Sequence, residues 1–448
     1  MQLITTEEGN QPPDSTARAR TSALASWRPL RRPARALEDR SLMPWGLFLA
    51  RRPIRLLARL AMPRFGRRVG TRCRSIKEVG HVAVVHWDSL GDAVLLTPVL
   101  RELRRTLPHA RIVLVCNANN QEVFVNCPYI DALQTQPVQV SSIGLRKGLP
   151  GGGASGSRRH ALDAAKILAG EARRHGPIDL VIGPDWLDPV YGASFFDSAL
   201  FRAGGGGRIL RHRGGADSDI DVRQHFVLRN LNIAHALGVE IEDDRLEFWT
   251  TLNDVAEATE LLAGLRTDLP IVALGVGAGA PRRQWPADRF ASVAEGLVER
   301  LAAQVVLVGA EDARRAAEEV QYRSNEVALN LVGKTSIGVL GELLRRVDLV
   351  VGNDSGPIHI AAAVGTSGVV VSNHPVDGEP WVVCSPCRYR PWGVPSVVLQ
   401  PPTGLESCGN WPTCVADDPH CILSVSDVEV VEAAMMLLAK DGLVTSGS

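Results

Sequence analysis

Aromatic side chains are scarce: Phe, Trp and Tyr make up 5% of the 448 residues. That scarcity argues against a surface that stacks the bases of nucleic acid. Cysteine is scarce as well, eight in all, too few for a disulfide scaffold in so long a chain. No apolar run reaches the roughly 18 residues of a membrane-spanning helix, which argues against an integral membrane protein. A net charge is missing too, since 49 basic side chains balance 49 acidic ones. What is present is ordinary for globular proteins, 45% hydrophobic and 22% charged residues, which excludes wholesale disorder. The length exceeds one ordinary core, so two domains of about 150–200 residues are expected.

The charge balance hides an asymmetry. Residues 1–80 carry 17 basic and 6 acidic side chains, an excess of 11 positive charges that the rest of the chain offsets. The chain therefore reads as a basic arm on an acidic body. Residues 1–40 are rich in Arg, Pro, Ser and Ala without an apolar period and read as disordered. Residues 43–69 alternate apolar and basic groups. From Pro53 onward, Ile54, Leu57, Ala58 and Ala61 share one helical face, while Arg55 and Arg59 share another. Trp45, Phe48 and Phe65 would suit a lipid interface and the arginines its anionic headgroups; packing on the body is the competing reading. Residues 1–30 lack the basic start and apolar core of a secretory signal. The expected location is the cytoplasm, peripheral on the inner face of the cytoplasmic membrane if the arm binds lipid. The acidic body and the few aromatics argue against nucleic acid as a partner.

The body alternates strand and helix patterns. HVAVVHW (81–87) is a β-branched apolar run, read as a buried strand. DSLGD (88–92) reads as a tight turn around Gly91, and 93–108 as one amphipathic helix before Pro108. ARIVLVC (110–116) and IDLVIG (178–183) are further strands. GLPGGGASGS (148–157) and Gly204–Gly207 read as loops. The second half repeats the plan. Strands are expected at 270–279 (running into a Gly-rich turn), 304–312, 347–351 and 367–373, and helices at 285–301, 337–346 and after 354. This βαβ alternation predicts α/β domains with parallel sheets and a cleft at their carboxyl ends. The expected division is an extension over 1–79, an acceptor-side domain over 80–267 and a nucleotide-sugar domain over 268–425, with a helix and tail at 426–448. The linker is placed near 265–270, and the last helix is expected to pack back across the first domain.

Three turns carry chemistry. In GNDSGPIH (352–359), Asp354 and Ser355 stand where a strand ends and a helix begins. Free N–H groups at that start, with Gly356 allowing close approach, make an anion site for phosphate or diphosphate. The plain alternative is a helix cap. His359 lies one turn further on, where a lone histidine is more often structural. In GAGAPRRQWP (277–286), Arg282 and Arg283 would either neutralise phosphate or form a solvated loop. Asp92 would either cap its helix or serve as a general base in the cleft.

On these residues the chain resembles glycosyltransferase family 9, the ADP-heptose:lipopolysaccharide heptosyltransferases. The matching stretches are 86–131, LGVGAGAPRRQWPADRFASVAEGL, LVGKTS and LLRRVDLVVGNDSGPIHIAAAVGT, in order over roughly 80–435. The resemblance implies a GT-B fold of two Rossmann-like domains and an inverting transfer of heptose from an ADP-sugar to an acceptor hydroxyl. That acceptor would be a glycan or glycolipid of cell-surface biosynthesis. It implies Asp92 as base, with Gly91 and His86 on the acceptor side. Arg283, Ser355 and Gly356 would hold the donor phosphates, Asp354 a donor-sugar hydroxyl, and Gly333, Lys334 and Thr335 the base end of the nucleotide. His359 falls on a family histidine. No cofactor is required. The sequence departs from the family at His86 and Ser89, each where Arg is frequent, and at SNHP (372–375). Other readings are a transferase of another nucleotide sugar to a protein or small molecule, or a nucleotide-sugar-binding protein without catalysis. Cys384, Cys387, Cys408, Cys414 and Cys421 cluster near the end; CxxC is a usable half-site for structural zinc or iron, against ordinary reduced thiols.

Overall fold

The computed structural model describes residues 76–86, 89–136, 154–183, 208–210, 223–380, 384–404 and 418–440. The basic arm with its 43–69 stretch, the Gly204–Gly207 run, Trp87 and Asp88 lie outside the described residues. In the first half, β1 (His81–His86) leads to α1 (Leu90–Val94) and α2 (Thr97–Thr106). Then follow β2 (Arg111–Asn117), α3 (Gln121–Phe124), β3 (Ala132–Gln136), α4 (Ala154–His175), β4 (Leu180–Ile182), β5 (Arg208–Leu210) and α5 (Phe226–His235). The strands form a parallel sheet in the order β3-β2-β1-β4-β5. Every residue of β1 is buried, as its unbroken apolar run requires of a central parallel strand.

The helix expected over 93–108 is two helices. Pro98 has no N–H, and its ring would clash with the carbonyl of Val94 four residues back. The chain breaks between α1 and α2, and the Thr97 hydroxyl donates to the freed Val94 carbonyl at 2.8 Å. The glycine-rich loop also ends earlier than expected, since α4 begins at Ala154.

The second half contains α6 (Leu252–Leu262), β6 (Ile271–Gly275), α7 (Ala287–Leu301), β7 (Gln304–Val308), α8 (Arg314–Arg323) and β8 (Ala328–Asn330). It continues through α9 (Ile337–Arg346), β9 (Leu349–Asn353), α10 (Gly356–Val364), β10 (Ser367–Val371), α11 (Pro386–Tyr389), β11 (Ser396–Leu399) and α12 (Asp427–Lys440). The second sheet is parallel in the order β11-β10-β9-β6-β7-β8. Chain order reverses between β6 and β9, and there the carboxyl ends of an open sheet leave a crevice for a ligand.

Two boundaries differ from expectation. The helix α6 packs on α9 of the second half, so the chain crosses over between 236 and 251, before the expected 265–270. The connecting segment is clamped by α2: Arg101 donates to the Asp243 carbonyl at 2.8 Å and to Glu247 at 3.0 Å, and Arg105 pairs with Glu242 at 2.6 Å. The last helix, α12, packs on α7 and the second sheet, not across the first. Its Val430, Val431, Ala434, Leu437 and Leu438 join Trp285 and Phe290 in that core. A further apolar cluster is continuous from β1 and α2 through α5 and α6 to α9 and α10, so the two sheets share buried packing.

Candidate active site

The end of β9 is fixed by a buried amide. Asn353 Oδ1 accepts the Trp285 N–H at 2.9 Å, and its Nδ2 donates to the Gly277 carbonyl at 3.1 Å. Trp285 is itself buried, with its indole N–H on the Val425 carbonyl at 3.2 Å. Together they hold the loop after β6 against the turn after β9. Arg283, two residues before Trp285, donates to the Asp354 carbonyl at 3.0 Å and lies 3.8 Å from the Asp354 carboxylate. Gly279 makes room, because a Cβ there would lie 3.0 Å from Arg283 Nη2. Sequence reasoning missed Asn353; a lone amide ending an apolar strand is the signal that would have found it.

At the start of α10, Ser355 is the N-cap but makes no side-chain capping bond. Pro357 has no N–H, and Ile358 N bonds back to the Ser355 carbonyl at 3.2 Å. The donors at Ser355 and Gly356 are therefore the ones a bound anion would take. The expected cap role of this turn is not realised by the serine hydroxyl.

Asp92 lies in the first turn of α1. Its Oδ2 accepts the Ser89 N–H at 3.1 Å and the Ser89 hydroxyl at 2.6 Å, so it does cap its own helix. Among the described residues, Oδ1 accepts no hydrogen bond. One oxygen is thus spent on the cap and the other is not. Burial pushes the Asp92 carboxyl above the ordinary range, Asp354 adds to this, and the Ser89 bonds and His359 oppose it. Asp354 is likewise raised by burial, against Arg283 and His374. Burial alone would lower the Arg283 guanidinium, but Cys384, Asp354 and Asp92 hold it above its usual value.

His359 sits between the two halves. Its Nε2 is 3.9 Å from Asp354 Oδ1, and its Nδ1 is buried with no hydrogen-bond partner among the described residues. Burial lowers the imidazole to about 4, with Asp92 opposing, so the ring is neutral near pH 7. Gly91 touches this ring: a Cβ at 91 would lie 2.5 Å from His359 Cδ2. Gly91 was expected to form a tight turn, yet it lies inside α1 with no left-handed φ. Its glycine identity is explained by the imidazole against it.

The site thus gathers Asp92, Arg283, Asp354, Ser355, Gly356 and His359. His86 is buried, edge-on to Phe124 at 6.2 Å, and lines a cavity of about 20 Å³ with Asn230 and Phe226. That apolar burial lowers its imidazole to about 4. Gly333, Lys334 and Thr335 follow β8, two strands from β6. Gly333 has φ +71° and Lys334 Nζ donates to the Asn330 carbonyl at 2.8 Å. Arg282 is buried rather than solvated.

The sequence profile of Glycosyltransferase family 9 (heptosyltransferase) matches residues 214–371, the stretch that carries Arg283 and the Asp354–Gly356 turn. Over that stretch the chain is similar to glycosyltransferase family 9. Lipooligosaccharide heptosyltransferase 2 of Haemophilus influenzae is 34% identical over 119 residues, 25% of this chain and 33% of that protein. Lipopolysaccharide heptosyltransferase 3 of Escherichia coli K12 is 27% identical over 297 residues, 62% of this chain and 77% of that protein. The chain thus spans about a third of the length of the Haemophilus relative it matches. A family 9 glycosyltransferase of Veillonella parvula superposes with a TM-score of 0.62 at 23% identity, covering 83% of this chain and all of that one. E. coli ADP-heptose lps heptosyltransferase II superposes at 0.56 with 17% identity, covering 81% and 99%. The fold is GT-B, two Rossmann-like sheets with Asp92 on one and the Asp354 turn on the other.

Cys384 and Cys387 are half-buried and Cys421 is buried, none of them in a disulfide among the described residues, while Cys408 and Cys414 lie outside the described residues. Among the described residues, no group of three or more His, Cys, Asp or Glu side chains is gathered as for a metal.

Proposed function

We propose that the chain is an inverting glycosyltransferase that moves a heptose from an ADP-sugar to an acceptor hydroxyl of a cell-surface glycan or glycolipid. The observation that carries this reading is the juxtaposition of Asp92, with one free carboxylate oxygen and raised basicity, and the Arg283–α10 anion site. The heptosyltransferase names of the curated relatives support the sugar and the lipopolysaccharide acceptor.

In the reaction, Asp92 Oδ1 takes the acceptor O–H proton as the oxygen bonds to the anomeric carbon. The bond from that carbon to the diphosphate breaks, and ADP leaves with its electron pair. The Ser355 and Gly356 N–H groups, the positive end of α10 and Arg283 stabilise the charge that develops on the leaving group. Asp354 would accept from a donor-sugar hydroxyl, and Gly333–Thr335 would flank the nucleotide base. The half around the first sheet serves the acceptor and the half around the second the donor. One direct displacement inverts the anomeric centre.

Two results test the donor side. Calorimetry with ADP, GDP and UDP should favour ADP. Arg283→Ala should weaken ADP binding by roughly 1–3 kcal/mol, the worth of a charge-assisted hydrogen bond. Unchanged ADP affinity in that variant would remove Arg283 from the site.

The basic arm would hold the enzyme at the inner face of the cytoplasmic membrane, near a lipid-linked acceptor. Its 17 basic side chains within residues 1–80 support this; no helix among the described residues is long and apolar enough to cross a membrane. Deleting residues 1–75 should release the protein from anionic liposomes, and high salt should weaken the full chain's binding by screening. Equal co-sedimentation of both forms would sink the anchor.

A further inference from the structure

The helices α1 and α10 meet through two reciprocal contacts. A Cβ at Gly356 would lie 2.6 Å from Leu90 Cδ2, 3.2 Å from Cγ and 3.3 Å from Cβ. A Cβ at Gly91 would lie 2.5 Å from His359 Cδ2 and 3.2 Å from Nε2. Each helix therefore carries one side chain that inserts and one glycine that receives. On α1 these are the neighbours Leu90 and Gly91; on α10, Gly356 and His359 are three residues apart and share a face. Ordinary helix pairs keep their axes about 8–10 Å apart, the distance set by side chains at the contact. Glycine on both sides leaves room for the inserted Leu90 and His359 side chains.

The contact lies between the groups that matter for transfer. Asp92 is two residues from Leu90 on α1, and Gly356 is the first residue of α10. Leu90 is partly buried and packs on the apolar cluster shared by both sheets, so its position is fixed from behind. It carries no polar atom and takes no part in bond making.

We propose that Leu90 and Gly356 form a positioning socket that sets the separation between the Asp92 carboxylate and the anion-binding start of α10. The proposal rests on the transferase reading above and adds to it a positioning residue, Leu90. Filling the socket moves α1 away from α10 and leaves the donor site on the second sheet intact.

Leu90→Phe enlarges the inserted side chain and changes no residue of the anion site. It should lower kcat by about 100-fold, the cost of misplacing a reacting group by about 1 Å, while ADP affinity measured by calorimetry stays near that of the unchanged protein. Gly356→Ala should also slow transfer, and adding Leu90→Ala should recover most of kcat, because the two closest clashing carbons are then gone. Normal kcat in Leu90→Phe, or a double variant as slow as Gly356→Ala alone, overturns the socket. A protein that transfers no sugar at all would instead defeat the transferase reading. The melting temperatures of the same set then decide the socket: Gly356→Ala should be destabilised and Leu90→Ala should relieve it. Strictly additive melting shifts would overturn it.

Discussion

Asp92→Asn is expected to reduce sugar transfer by about 100- to 10,000-fold, the usual contribution of a general base. The amide keeps an oxygen for the Ser89 N–H and hydroxyl, so the cap on α1 survives in shape. What it loses is the capacity to take a proton at Oδ1. ADP affinity should stay nearly unchanged, since Arg283 and α10 belong to the other sheet. A helix-capping role alone predicts a different pattern, a stability loss on the order of 1 kcal/mol with normal transfer in the folded fraction. Single-turnover transfer and melting temperature on the same variant separate the two. The pH profile adds a third reading. Because burial raises the Asp92 carboxyl, the base is protonated and idle below that raised value. The rate should rise with pH through it and then level off, and the Asn variant should lose that limb. Near-normal transfer in Asp92→Asn would hand the base role to another group.

A second large effect is expected in acid stability. Burial lowers His86 and His359 from 6.5 to about 4, and His225 from 6.5 to about 3. Between the ordinary and the lowered values the unfolded chain binds protons that the native protein does not. Stability therefore falls as pH drops from about 6.5 towards 4, by on the order of 3 kcal/mol for each ring. Three such rings together approach the 5–15 kcal/mol that typically holds a domain folded. Asp92 and Asp354, raised by burial, act in the opposite sense and offset part of the loss. Thermal unfolding followed from pH 7 to pH 4 should show a steep decline. His225→Asn, which keeps a capping side chain before α5, should move the decline to lower pH. A melting temperature flat to pH 4.5 would refute the neutral burial of these rings.

The sequence carried most central strands plainly. Buried parallel strands such as β1, β6 and β9 need apolar residues on both faces, and unbroken runs like HVAVVH say so. Edge strands did not announce themselves. β3, ALQTQ, has no apolar run and exists because it pairs with β2 from Val113 to Asn117. The break between α1 and α2 was legible in Pro98 but hidden by the continuous amphipathic pattern around it. At the site, the turn proposed to bind phosphate could be picked out as an Asp-Ser-Gly between strand and helix. The reason for Gly91 could not, because its partner, His359, belongs to a helix of the other half. The clamp of Asn353 on Trp285 was invisible for the same reason: both groups are local in space and distant in the chain. The contact of His86 with Phe124 was not legible either, because the ring partner lies on a helix distant in the chain.

The most direct test of the central proposal is the product itself. Full-length protein is incubated with ADP-heptose and a lipopolysaccharide-core acceptor, and the new linkage is read by NMR. The expected result is ADP release matched by a new glycosidic bond whose anomeric configuration is opposite to that of the donor. Retained configuration, or ADP-heptose bound without transfer to any core acceptor, would contradict it.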